Sequence, residues 1–153
     1  MDERQYAYQL ADEVVRRSAS WYLPKDDPRF TLVSAAALIS VLETLDEAHF
    51  RPTLAKLRAG LTEAQTNSGA WLANETQPTA HAILALLYSP VAEERKAARQ
   101  GIAWLRSTLL ADGGLATYND HMPEPFVGQV FTGVNAEALS AMAAACALER
   151  EQK

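Results

Sequence analysis

Three segments of this chain are apolar nearly all the way round, and they start alike. Ser34-Ala35-Ala36-Ala37-Leu38-Ile39-Ser40-Val41, Thr79-Ala80-His81-Ala82-Ile83-Leu84-Ala85-Leu86 and Asn135-Ala136-Glu137-Ala138-Leu139-Ser140-Ala141-Met142 each set a small polar residue before an alanine-rich run. A helix without a polar face must be covered on most sides, so the pattern predicts three inner helices. Their spacings of 45 and 56 residues fall in the range at which repeated helical units are read.

The intervening segments are amphipathic. Residues 2–20 carry Ala7, Leu10, Ala11 and Val14 opposite Glu3, Arg4, Glu13, Arg16 and Arg17, with Asp2 as a cap. Leu54, Leu57 and Leu61 stand three and four apart behind Pro52, a residue suited to a helix start. Ala98, Ile102, Leu105 and Leu109 form an inward stripe, and Arg95, Lys96, Arg99 and Arg106 an outward one, with Glu93 and Glu94 in the first turn. Prolines and aspartates between Trp21 and Pro28, then Asn67-Ser68-Gly69 and Asp112-Gly113-Gly114, mark loops. A long connection runs from Leu115 to Gly133. Period-two alternation is absent, so the expected fold is all-α. It is one domain over residues 1–153, with three α/α hairpins at about 2–46, 52–89 and 90–150, each pairing an outer with an inner helix.

Composition narrows the functions. A formal charge of −5 with 14 basic residues, none clustered, offers no footprint for a phosphate backbone and argues against nucleic-acid binding. Cys146 is the only cysteine and sits in an alanine-rich helix, where a small buried apolar role is expected and no disulfide can form within the chain. The charged start Met1-Asp2-Glu3-Arg4-Gln5 does not read as a signal peptide, and no apolar run reaches the roughly 20 residues of a membrane span. The expectation is a soluble cytoplasmic protein.

The loops carry a second repeat. Lys56, Leu61, Gln65, Gly69 and Trp71 occupy one copy of a spaced pattern, and Gly101, Trp104, Leu105 and Gly113 occupy another. This pattern resembles the QW motif of the terpenoid cyclase and prenyltransferase family, specifically the squalene-hopene and oxidosqualene cyclases. That motif runs Lys/Arg, Gly/Ala, two free, aromatic, aliphatic, three free, Gln, three free, Gly, one free, Trp. The first copy misses at Leu57 and Gly60, the second at Gln100, Leu109 and Leu115. Physically, the glycines supply turns, Gln65 can satisfy groups at neighbouring helix ends, and Trp71 can cover the next hairpin.

The resemblance also says what chemistry to look for. The class II cyclases place an Asp-x-Asp-Asp acid just before a Thr-Ala inner helix, and its middle aspartic acid is the proton donor. Here those positions read Glu75-Thr76-Gln77-Pro78, so the protonating position holds an amide that cannot deliver a proton. Glu75, Glu137 and His81 remain as the candidate catalytic groups. The zinc of the related protein prenyltransferases is not expected, because Cys146, His49, His81 and His121 show no metal-ligand spacing; no cofactor is predicted. Asp26-Asp27 reads as a solvated loop and not a diphosphate site.

His81 and Glu137 occupy equivalent positions near inner-helix starts, which in the family border the central cavity. With Thr79, Asn135, Tyr118 and Phe131 they form the predicted ligand-facing set, and they could meet a ligand or each other. The blander alternative is a satisfied core histidine and a carboxylate near a helix start. The long loop, with Asp120, His121 and Phe126 as well, suits an interface, a packed connection or a lid.

A closed ring of the family has about twelve helices, and this chain has about half that number. Its end inner helices should keep an uncovered apolar flank, to be closed by a second copy, a partner protein or an isoprenoid or other hydrophobic ligand. The expected function is a noncatalytic binding or assembly module of this type. The alternatives are a small or split isoprenoid cyclase or prenyltransferase, and a helical-repeat scaffold for peptides.

Overall fold

The computed structural model describes residues 2–18, 28–117 and 132–151. They form five helices: α1 (Glu3–Ser18), α2 (Pro28–Glu63), α3 (Thr76–Leu86), α4 (Ala92–Ser107) and α5 (Thr132–Glu151). Among the described residues there is no strand, only isolated bridges inside turns. The described residues are all-helical and form five helices, where the sequence predicts six for the chain.

The difference lies in α2. Helical backbone runs on both sides of Asp46, which alone breaks it with an extended φ of −170° and ψ of 92°. Asp46 then caps the second half of the helix: its Oδ1 accepts the His49 backbone N–H at 3.0 Å, three residues on, as an N-cap side chain does. The helix therefore resumes before Pro52, which lies inside α2 instead of at a helix start. With no N–H of its own, Pro52 leaves the Ala48 carbonyl without an i+4 donor.

The same aspartate seats α1. Its Oδ2 accepts the Tyr8 hydroxyl at 2.7 Å, and the Tyr8 ring stacks on Phe50 with centroids 6.1 Å apart. This contact sets the rotation of α1. Ala11 is buried, and Tyr8, Val14 and Val15 pack against the core, whereas Leu10, expected in the stripe, is 53% exposed. Two positions beyond Tyr8 is a turn of about 200° around a helix, so docking through Tyr8 carries Leu10 off the buried face.

α3 is the centre of the arrangement. It touches α2, α4 and α5, whereas α2 and α5 do not meet among the described residues, and α1 touches α2 alone. Eight of its 11 residues are buried: Thr76, Pro78, Thr79, Ala80, Ala82, Ile83, Ala85 and Leu86. Of these, Ala80, Ala82, Ile83, Ala85 and Leu86 pack with Ile39, Leu42, Leu54, Leu57, Trp71, Ala98 and Leu105 in one core. Each leucine or isoleucine among them contributes about 1.5–3 kcal/mol on full burial.

α2 and α4 lead into turns of the same construction. Gly69 and Gly113 have φ of 91° and 87°, where a side chain would be strained. In the first turn Gly69 N–H donates to the Thr66 carbonyl and Thr66 N–H to the Ala70 carbonyl; in the second, Gly113 donates to Leu110 and Leu110 to Gly114. The bridges Gln65 to Trp71 and Leu109 to Leu115 close them alike. On α4 the inward stripe ends at Leu105, and Leu109 already lies in the second turn, exposed.

Candidate functional site

The residues singled out from the sequence divide into turn fasteners and one polar cluster. Gln65 donates its Nε2 both to Gly69 O and to Ala97 O of α4, each at 2.8 Å, so a single amide joins the turn to the next helix. Trp71 is fully buried, and its Nε1 donates to Leu61 O at 2.7 Å. Gly101 on α4 makes room for that ring: a Cβ there would lie 2.9 Å from Trp71 Cζ3 and 2.8 Å from Ile83 Cγ1. A Cβ on Gly69 would approach Gln100 O to 2.7 Å, whereas one on Gly113 would meet nothing within 4 Å. Trp104 packs half-buried against the core, and Lys56 lies exposed on α2.

Thr79 and Asn135, expected to face a ligand, reach back to the turns instead. Thr79 Oγ1 accepts the Trp71 backbone N–H at 3.0 Å. Asn135 brackets Leu115, accepting its N–H at 2.8 Å and donating to its carbonyl at 3.1 Å. The two are fasteners of equivalent turns. Glu75 is the N-terminal cap residue of α3, and its side chain makes no capping bond. At 1% exposure it is sealed in the core. Tyr118 and Phe131 lie outside the described residues, as do Asp120, His121 and Phe126.

The polar cluster forms where α3 meets α5. Gln77 and His81, four residues apart and so on one face of α3, both turn to Glu137 of α5. Gln77 Nε2 donates to Glu137 Oε1 at 3.1 Å, and His81 Nε2 stands 3.6 Å from the same oxygen. The His81 and Glu137 side chains are 26% and 34% exposed, so solvent reaches the pair. Glu137 Oε2 is buried and has no hydrogen-bond partner. Of the three candidate acid or base groups, the fold joins His81 and Glu137 and keeps Glu75 apart from solvent.

Two features have no signal in the sequence pattern. Arg58, nearly buried, pairs through Nη2 with Glu43, joining the two halves of α2 across the Asp46 break. Glu43, Glu47, Arg58, Tyr88 and Pro90 line a cleft of about 320 Å³. Its walls combine the charged Glu43, Glu47 and Arg58 with Tyr88 and Pro90. Cys146, expected to be buried, is exposed. α5 buries Ala138, Ala141 and Ala145, and Cys146 lies off that line.

Two other carboxylates of the described surface are ionised in local networks. Glu13 is lowered to about 2 by hydrogen bonds from Arg16 and then Arg17. Asp46 lies below its ordinary value because the Tyr8 hydroxyl, and next the His49 backbone N–H, donate to it. No helix of the described residues is long and apolar enough to cross a membrane. Likewise, no three His, Cys, Asp or Glu side chains gather among them as a metal site. Comparison with protein families, with curated proteins and with solved structures returns no match.

Proposed function

We propose that this chain is a noncatalytic assembly module, built of α/α units like those of the terpenoid cyclases, whose open edges are covered by a second copy of itself. The observation that carries the reading is the exposed face of α5. Leu139 is 58% exposed there, and Ala136, Ala143 and Ala147 on the same helix are exposed as well. At the other end of the row, α2 exposes Val41, at 57%, with Ala37. An apolar edge at each end of α2–α3–α5 is what a ring of two such chains requires, the α5 edge of one meeting the α2 edge of the other and the reverse. The resemblance to half a toroid supports the same arrangement.

Noncatalytic is the better description because Gln77 stands where the resemblance asks for the proton donor, and its amide already holds Glu137. Sedimentation equilibrium of the wild type, Leu139→Glu and Val41→Glu tests the reading. A dimer of the 16.7 kDa chain, dissociated by either substitution, is expected. A wild type that is monomeric at all concentrations overturns it.

A further inference from the structure

We infer that the cleft between α2 and the connection from α3 to α4 binds a free α-amino acid with an apolar side chain. The inference does not rest on the assembly reading. Glu43, Glu47 and Arg58 of α2 line the cleft with Tyr88 and Pro90, which follow α3. Its volume of about 320 Å³ lies at the lower end for small-molecule pockets. Two carboxylates, one guanidinium and two exposed rings are thus gathered at one place. Arg58 is 6% exposed, and its Nε has no hydrogen-bond acceptor. A buried donor left unmet is uncommon and costly, and it calls for an acceptor from outside the chain.

Covalent geometry fixes where that acceptor stands. The single Nε–H lies along the guanidinium edge shared with Nη2, the edge that takes a carboxylate by two parallel bonds. Glu43 meets Arg58 at Nη2 alone. Its side chain is 31% exposed, so it has room to yield to an incoming carboxylate that engages both nitrogens. Glu43 is then available, with Glu47, to accept from an ammonium; Glu47 makes no hydrogen bond or ion pair among the described residues. An α-amino acid carries both groups on one carbon. A plain amine would leave Nε unmet, and a plain carboxylate would bring a third negative charge to Glu43 and Glu47. Tyr88 is 55% exposed, and its hydroxyl donates to Ala144 O at 3.4 Å, which tethers the ring. With Pro90 it gives an apolar surface to the side chain of the ligand.

The test is isothermal titration of the full chain with L-phenylalanine and L-leucine, alongside thermal melts. Phenethylamine, which lacks the carboxylate, and hydrocinnamate, which lacks the ammonium, are the comparison ligands. Both amino acids are expected to bind and to raise the melting temperature, because a ligand held only by the folded form stabilises it. Each comparison ligand should bind about tenfold or more weakly than phenylalanine, as loss of one charge-assisted contact does. Glu47→Gln and Arg58→Lys, in which the fork is replaced by a point charge, should weaken phenylalanine binding by about tenfold or more. Tyr88→Ala should weaken it as well, and Arg99→Ala, at an exposed position of α4, should bind as the wild type does. Circular dichroism checks that each variant folds; if Arg58→Lys does not, the exposed Glu47 and Tyr88 variants decide. No uptake of either amino acid at millimolar concentration, a comparison ligand as tight as phenylalanine, or affinity unchanged in Glu47→Gln overturns the inference.

Discussion

The Tyr8 hydroxyl donates to Asp46 Oδ2 at 2.7 Å, across 38 residues of chain, and the same carboxylate caps the second half of α2 through the His49 N–H. One side chain thus ends an interruption in one helix and docks another. Among the described helices α1 touches only α2, so the contact governs whether residues 3–18 stay on the body. Tyr8→Phe keeps the stacking on Phe50 and removes only the hydroxyl. It should cost about 0.5–1.5 kcal/mol in urea unfolding, with Asp46→Ala costing more because the cap is lost too.

Acid should act at the same corner. Asp46 has a lowered carboxyl pKa in the folded chain, held down first by Tyr8 and then by the His49 N–H. Its contribution is present above the ordinary carboxylate pKa of 3.8 and is lost as pH falls through the folded value. Glu13, lowered to about 2, loses its pairing with Arg16 and Arg17 over the same descent. Hydrogen exchange in α1 should therefore accelerate between about pH 4 and pH 2 before exchange in α3 does. Equal acceleration in both helices would refute this.

Gly69 and Gly113 share a left-handed backbone but not their surroundings. Gly69→Ala adds a contact of 2.7 Å with Gln100 O to the backbone strain, and Gly113→Ala adds strain alone. Both should destabilise, Gly69→Ala by about 1–3 kcal/mol more, as overpacking against a fixed carbonyl does. Thermal melts of the two variants make the comparison.

Gly101 and Trp71 are a fitted pair. Gly101→Ala would press on the indole and on Ile83, and an expected loss of about 1–3 kcal/mol reflects that crowding. Trp71→Ala should cost about 3–5 kcal/mol, because a fully buried ring is removed and the Leu61 carbonyl loses its indole donor. In the double variant the two losses should not add, since the alanine methyl gains the space the ring vacates. Urea unfolding of the two single variants and the double one completes the cycle.

Much of this fold is legible in the residues alone, and the gaps have physical causes. Periodicity places the helices, and the glycines mark both turns, because left-handed backbone is a local demand with few residue types able to meet it. A helix apolar all round, however, does not announce which face its neighbours will cover. That is why Cys146 and Leu139 turn out exposed on α5 while three alanines are buried. Leu10 fails for a related reason: the rotation of α1 is decided by Tyr8 meeting residues 46–50, a contact no local window contains. Asp46 resembles any loop aspartate until its two partners are known. In the candidate site, the equivalence of His81 and Glu137 is visible from the repeat, but the part played by Gln77 is not. Thr79 and Asn135 are hidden in the opposite sense, since their polar atoms bond backbone groups of the turns.

An isolated helix of 11 residues is too short to persist in water, where about 12–15 are needed even for favourable sequences. α3 therefore exists only while its neighbours hold it, and they in turn lay their cores against it. Melting of the body should accordingly be a single cooperative event, with no stable fragment made of α2 alone or of α4 and α5. α1, tied on at one corner, is the piece that can fray first and leave the remainder standing.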